Sequence, residues 1–159
     1  MLKSVLSIGL AWLAITCSGR SHAPPEPLNT IDRETSVLIV TRPSDFKQRV
    51  VRKLIDSYRT RTLITLVDLD DIDDIRTNGY DAMVVMGARR GFLLLSSQER
   101  RFLRRLEDPE RLILVMTAAM NDWTWDRHDV DVITCASEPG NIEPLYQKVS
   151  ARLDSLLVD

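Results

Sequence analysis

Five apolar runs alternate along the chain with segments whose apolar residues recur every three or four positions. The runs cover residues 37–40, 63–67, 82–86, 112–117 and 130–134. Most are continuous rather than alternating, as expected of parallel strands covered on both faces. After the first run, Phe46, Val50, Val51, Leu54, Ile55 and Tyr58 share one face of a helix predicted over residues 45–59, with Ser44 placed to N-cap it. Residues 70–77 read as a short helical turn carrying Ile72 and Ile75, ended by Asn78-Gly79. Ser96-Ser97-Gln98-Glu99 is a capping box that opens the next helix. That helix buries Phe102, Leu103 and Leu106 and stops at Asp108-Pro109. The last helix starts near Asn141 and buries Ile142, Leu145, Val149, Leu153 and Leu156. No helix of ordinary length separates the fourth and fifth runs, so residues 120–129 read as a loop.

Regular strand–helix alternation with short connections predicts a three-layer, doubly wound, five-stranded parallel sheet in the order 2-1-3-4-5. Residues 36–159 form this one domain. A chain of 159 residues, 44% hydrophobic and 28% charged, suits a globular domain with a short extension and is neither a disordered chain nor a membrane bundle. The formal net charge of −2 exerts no global pull toward nucleic acid.

The first residues read as an export signal. Met1-Leu2-Lys3 supplies a positive start, and the apolar stretch 5–15 is too short to span a bilayer. Residues 1–16 are therefore expected to be a signal peptide, with an uncleaved anchor helix as the alternative. Ala14-Ile15-Thr16-Cys17 resembles the bacterial lipoprotein signal, in which a lipidated cysteine becomes the first mature residue. It departs from that signal at Ala14 and Thr16, where Leu and a small residue are preferred, so ordinary cleavage nearby competes with lipidation of Cys17. The stretch 17–35 carries Pro24, Pro25 and Pro27 among polar residues and reads as an extended tether. These features place the domain in the periplasm or on the membrane as a lipoprotein. With Cys17 acylated or removed, Cys135 is single, which excludes a disulfide framework; its apolar surroundings suggest a buried structural thiol.

The turn after the first strand is the usual phosphate-binding point of such sheets, through a glycine-rich loop at a helix N-terminus. Here it reads Thr41-Arg42-Pro43-Ser44-Asp45, without glycine. Arg42, Ser44, Arg89 and Arg90 follow strands one and three, neighbours at the topological switch point. Asn121 and Trp123 follow strand four on the same edge. Guanidiniums beside indoles suit a small anionic, planar or carbohydrate ligand held by side chains. The alternative is that the arginines pair with Asp45, Asp122 or Asp126, while Trp123 and Trp125 plug the loop.

Other charged groups have simpler explanations. Asp68, Asp70, Asp71, Asp73 and Asp74 lack calcium-loop spacing and suit a solvated helix start. Arg100, Arg101, Arg104 and Arg105 sit opposite an apolar face and suit solubility. His128 is the only histidine of the domain and His22 lies in the tether, so neither a nucleophile–base pair nor a thiolate–imidazole metal site is legible.

The stretch SVLIVT with its helix, the acidic link after TLITLVDLDDI, and GYDAMVVMGARRG at residues 79–91 together resemble the flavodoxin-like family over about residues 36–157. SSQERRFLRRL also resembles the helix after the third strand, including in the flavodoxin-type protoporphyrinogen oxidases. The resemblance implies a flavodoxin-like fold, with FMN as the family's cofactor. FMN-holding members use a first turn of the kind T-x-T-G-x-T, and the corresponding aromatics here, Phe92, Trp123 and Trp125, match only in part. The chain departs from the phosphate grip itself: Pro43 removes an N–H and Asp45 adds a repelling charge. Two expectations follow. One is a non-catalytic, degenerate flavodoxin-like module of the cell envelope that binds a protein or a small anion and holds neither cofactor nor metal. The other is an FMN-binding electron-transfer flavoprotein or flavin-dependent oxidoreductase.

Overall fold

The computed structural model describes residues 26–28, 35–89, 95–119, 123–127 and 129–158. Five strands, β1 (Ser36–Thr41), β2 (Leu63–Asp68), β3 (Ala82–Ala88), β4 (Leu112–Ala118) and β5 (Asp131–Ala136), form one parallel sheet in the order β2-β1-β3-β4-β5. The helices are α1 (Asp45–Tyr58), α2 (Ser97–Arg105) and α3 (Ile142–Leu156). This is an α/β fold of the flavodoxin-like type, with the strand order that the apolar runs predict.

The continuous runs follow from burial on both faces. In β1, Val37 and Ile39 pack toward α1 and α3, while Leu38 and Val40 pack toward α2. Every residue of β4 is buried, as its central place requires. The outer strands β2 and β5 are only partly buried. Leu28 touches the open edge of β2, donating its N–H to the Ile64 carbonyl at 2.7 Å.

Three local details differ from the sequence pattern. The segment after β2 is a 3₁₀ turn, Leu69–Asp74, that ends before Ile75. Leu69 and Ile72 alone are buried there, and Asp68 caps the turn by accepting from the Asp70 N–H at 2.9 Å. In α2, Phe102 is buried whereas Leu103 and Leu106 are half-exposed. Strand β5 also runs later than the apolar run suggests, because its edge position tolerates Asp131 and Cys135.

The β4–β5 connection carries no helix or strand among its described residues. Trp123 and Trp125, with Val130 and Val132, pack on the α2 side of the sheet. Two indoles thus cover apolar surface that a crossover helix would otherwise cover.

Tyr58 joins α1 to α3. Its ring is buried, and its hydroxyl lies 2.9 Å from the Ser150 carbonyl and 2.9 Å from the Asp154 carboxylate. Arg61 covers the ring at 4.3 Å and donates to Asp154 at 2.7 Å. Burial pushes the phenol from 10.0 up to about 12. A group whose pKa rises on folding contributes stability that is complete below the unfolded value and lost as pH climbs through the folded one. Alkaline denaturation between pH 10.0 and about 12 should therefore be steeper in the native protein than in Tyr58→Phe, as followed by urea midpoints across that range. Identical pH profiles would contradict this.

Candidate functional site

Strands β1 and β3 are neighbours, yet the chain leaves β1 toward β2 on one side and returns to β3 on the other. That reversal opens a crevice at their carboxyl ends. Its volume is about 620 Å³, and its lining includes Arg42 and Ser44 after β1, Lys47 from α1, and Ser96 and Glu99 at the start of α2. Among the described residues, Ser97 of α2, Thr117 from β4 and Ser137 after β5 complete the polar part of the lining, and Pro43, Phe46, Leu69 and Ala88 form its apolar part.

The first turn is committed to helix capping. Ser44 is extended, and its hydroxyl accepts from the Lys47 N–H at 3.3 Å. Its carbonyl accepts from the Gln48 N–H at 2.8 Å. Arg42 pairs with Asp70, which raises the guanidinium's pKa further. Among the described residues the partner of Arg42 is thus the acidic turn after β2 rather than Asp45 or Asp126, and Asp122 lies outside them.

Two charged side chains that the sequence reading passed over form the floor. Lys47 is only 4% exposed, and its ammonium donates to the Met86 carbonyl at 3.0 Å. Glu99 is 2% exposed. One of its carboxylate oxygens accepts from the Ser96 N–H while the Ser96 hydroxyl accepts from the Glu99 N–H at 3.1 Å, closing the expected capping box. The other oxygen, Oε1, is buried with no hydrogen-bond partner among the described residues. Such an acceptor costs on the order of 1–3 kcal/mol, more when charged. It lies against Gly87, where a Cβ would overlap it and approach Met116 Sδ to 2.7 Å. Lys47 reaches Met86 from one face of the sheet, and Glu99 reaches the adjacent Gly87 from the other.

Both residues carry a signal in the sequence. Lys47 shares its helical face with Val50, Val51 and Leu54, and Glu99 shares its own with Phe102, Leu103 and Leu106. A charge in the first turn of an apolar face, at the ligand edge of a parallel sheet, is a site candidate.

Of the residues expected from sequence to form the site, Arg42 and Ser44 line the crevice. Arg89 and Trp123 are not among its described lining. They meet each other instead, with the guanidinium 5.4 Å from the indole centroid and the Arg89 N–H donating to the Thr117 carbonyl at 2.8 Å. Arg90 and Asn121 lie outside the described residues, as do Cys17, the stretch 1–16, Phe92 and His128. Of the 17–35 stretch, only residues 26–28 and 35 are described.

The acidic turn and the basic helix meet at Asp73. Arg101 and Arg105 both donate to the Asp73 carboxylate, Arg105 at 3.1 Å, and Arg105 also caps the Asp73 carbonyl at 2.7 Å. Arg101 holds the Asp73 carboxyl below its usual range. Among the described residues, no group of three His, Cys, Asp or Glu side chains could hold a metal ion. Cys135 is half-buried, its thiol pushed up in pKa by that burial. No helix of the described residues is long and apolar enough to cross a membrane.

The turn offers little to an FMN phosphate. It has no glycine, Pro43 contributes no N–H, the Lys47 N–H is taken by the Ser44 hydroxyl, and Glu99 adds a carboxylate to the lining.

No protein-family model matches the chain, and no curated protein matches its sequence. Among solved structures, it is similar to the crystal structure of the Francisella novicida lysine decarboxylase LdcF, at 9% identity and a TM-score of 0.49. The match covers 77% of this chain but only 17% of the decarboxylase. A likeness at that level says nothing of activity. The protein is an α/β protein with a five-stranded parallel sheet of the flavodoxin-like order and a crevice of mixed polar and apolar lining at its switch point.

Proposed function

We propose that this protein is a non-catalytic binding module, a degenerate member of the flavodoxin-like family that has lost the FMN phosphate loop. It takes a small polar ligand, or a partner protein presenting one, in the crevice between α1 and α2. The observation that carries this reading is the make-up of the crevice: side chains line it where flavin-binding members present backbone N–H groups. In this proposal residues 1–16 direct export, residues 17–35 tether the domain in the cell envelope, and Cys17 is the candidate lipid anchor. The patterns of the first 35 residues support that address.

The competing reading is an FMN-binding electron-transfer protein or oxidoreductase, supported by the sheet order and the position of the crevice. Visible absorption after adding FMN and removing the excess separates the two. A colourless protein is expected; retained bands in the flavin region would replace the binding module with the flavoprotein. For the address, mass spectrometry of the mature chain should find residues 1–16 removed. A chain retaining Met1 would end the export proposal, and one starting beyond Cys17 without acyl groups would end lipidation.

A further inference from the structure

We propose that the outer edge of β2 is an interaction surface held by the chain's own residues 26–28, and that this strap keeps two copies of the protein from joining their sheets edge to edge. The inference is independent of what the crevice binds and of the fate of Cys17.

Strand β2 lies at the margin of the sheet. In a parallel ladder, successive residues turn their backbone groups alternately to one side and the other. Leu63 donates inward, to the Thr35 carbonyl at 2.9 Å, so Ile64 and Leu66 present their groups outward. The strand reads Leu63-Ile64-Thr65-Leu66-Val67 before its first charge, Asp68, and holds no proline. An uncharged, β-forming edge of this kind is a template for another strand. The opposite margin differs, since β5 opens with Asp131, which pairs with Arg152 at 3.1 Å.

Leu28 meets the β2 template directly. Its N–H donates to the Ile64 carbonyl at 2.7 Å, while its side chain is 54% exposed. The backbone bond, not apolar burial, therefore fixes it there. The strap is also suited to end a sheet rather than extend it. Pro27 carries no N–H, and neither do Pro24 and Pro25 before it in sequence, so a further strand finds few donors. Glu26 is exposed beside the bond, and two copies meeting at this edge would bring two such carboxylates together. Without the N–H of residue 28, β2 is left to pair with β2 of a second copy about a two-fold axis.

Sedimentation of the full chain over a concentration series tests this, with the native protein, Leu28→Pro and Leu28→Ala compared and amide exchange measured alongside. Proline removes the donor, whereas alanine keeps it and removes only the exposed side chain. The native chain and Leu28→Ala should sediment alike. Leu28→Pro should self-associate at about tenfold lower concentration, with the Leu66 amide gaining protection as it does so. In the native protein the Leu28 amide should exchange about tenfold more slowly than that of an unstructured leucine. Should Leu28→Pro unfold, as judged by its melting curve, that exchange rate decides alone. A freely exchanging Leu28 amide would overturn the strap. Leu28→Pro sedimenting like the native chain, or associating without protection of Leu66, would overturn its guarding of β2. Equal association of Leu28→Ala and Leu28→Pro would overturn the role of the backbone donor.

Discussion

Replacing Gly87 with alanine is expected to destabilise the protein by about 2–4 kcal/mol, from overpacking and a strained helix cap. The reason is close approach, since Gly87 sits in a regular strand paired with Met116. A Cβ at this position would overlap Glu99 Oε1 and press on Met116 Sδ. Both atoms lie near the ends of flexible side chains, but each chain is confined. Met116 is fully buried, and Glu99 is pinned by the Ser96 N–H. Moving Glu99 opens the capping box, which adds roughly 1 kcal/mol to the overpacking. Urea denaturation of Gly87→Ala measures the total. In a Glu99→Ala background the same change should cost less, because one of the two obstructions is gone, and the difference is the coupling between the residues. Equal costs in both backgrounds would show that Glu99 does not rest on Gly87.

Phe102→Ala should have the larger effect, about 3–5 kcal/mol, as for other buried aromatics cut back to alanine. Helix α2 has nine residues, too few to persist without packing. Phe102 is its one fully buried apolar side chain, set in a cluster with Leu69, Ile72, Leu95 and Met116. Leu103 and Leu106 only flank that cluster. Losing the ring therefore loosens the helix that carries Ser96 and Glu99 into the crevice. Equilibrium unfolding gives the global cost, and amide exchange over residues 96–105 gives the local one. Protection there is expected to fall further than across β4. A stability loss near 1 kcal/mol, the usual scale for point mutations, would mean that other contacts seat α2.

The strands were legible because a parallel strand buried on both faces has no polar alternative. Residues 37–40 and 112–117 could hardly be anything else. The capping box at Ser96–Glu99 was equally local, since its four residues satisfy one another. From five such strands the order 2-1-3-4-5 followed by connection rules, and with it the edge where a ligand would sit.

The chemistry of that edge was not legible, because it depends on which distant residues meet. Arg42 faces Asp70 rather than a nearer acid because the turn after β2 comes to lie beside the turn after β1. Asp73 takes up Arg101 and Arg105, so two charged stretches that looked merely solvated hold the turn after β2 against α2. Arg89 settles on Trp123, whose indole packs on the α2 side of the sheet. Helical periodicity marks Lys47 and Glu99 as charges on apolar faces, but it is silent about what those faces meet. By itself the sequence determined the layers, the strands and the carboxyl edge, since burial and capping act between near neighbours. Only the tertiary structure decided that a lysine and a glutamate, arriving from opposite faces of the sheet, would end on adjacent residues of β3 and leave one carboxylate oxygen without a donor among the described residues.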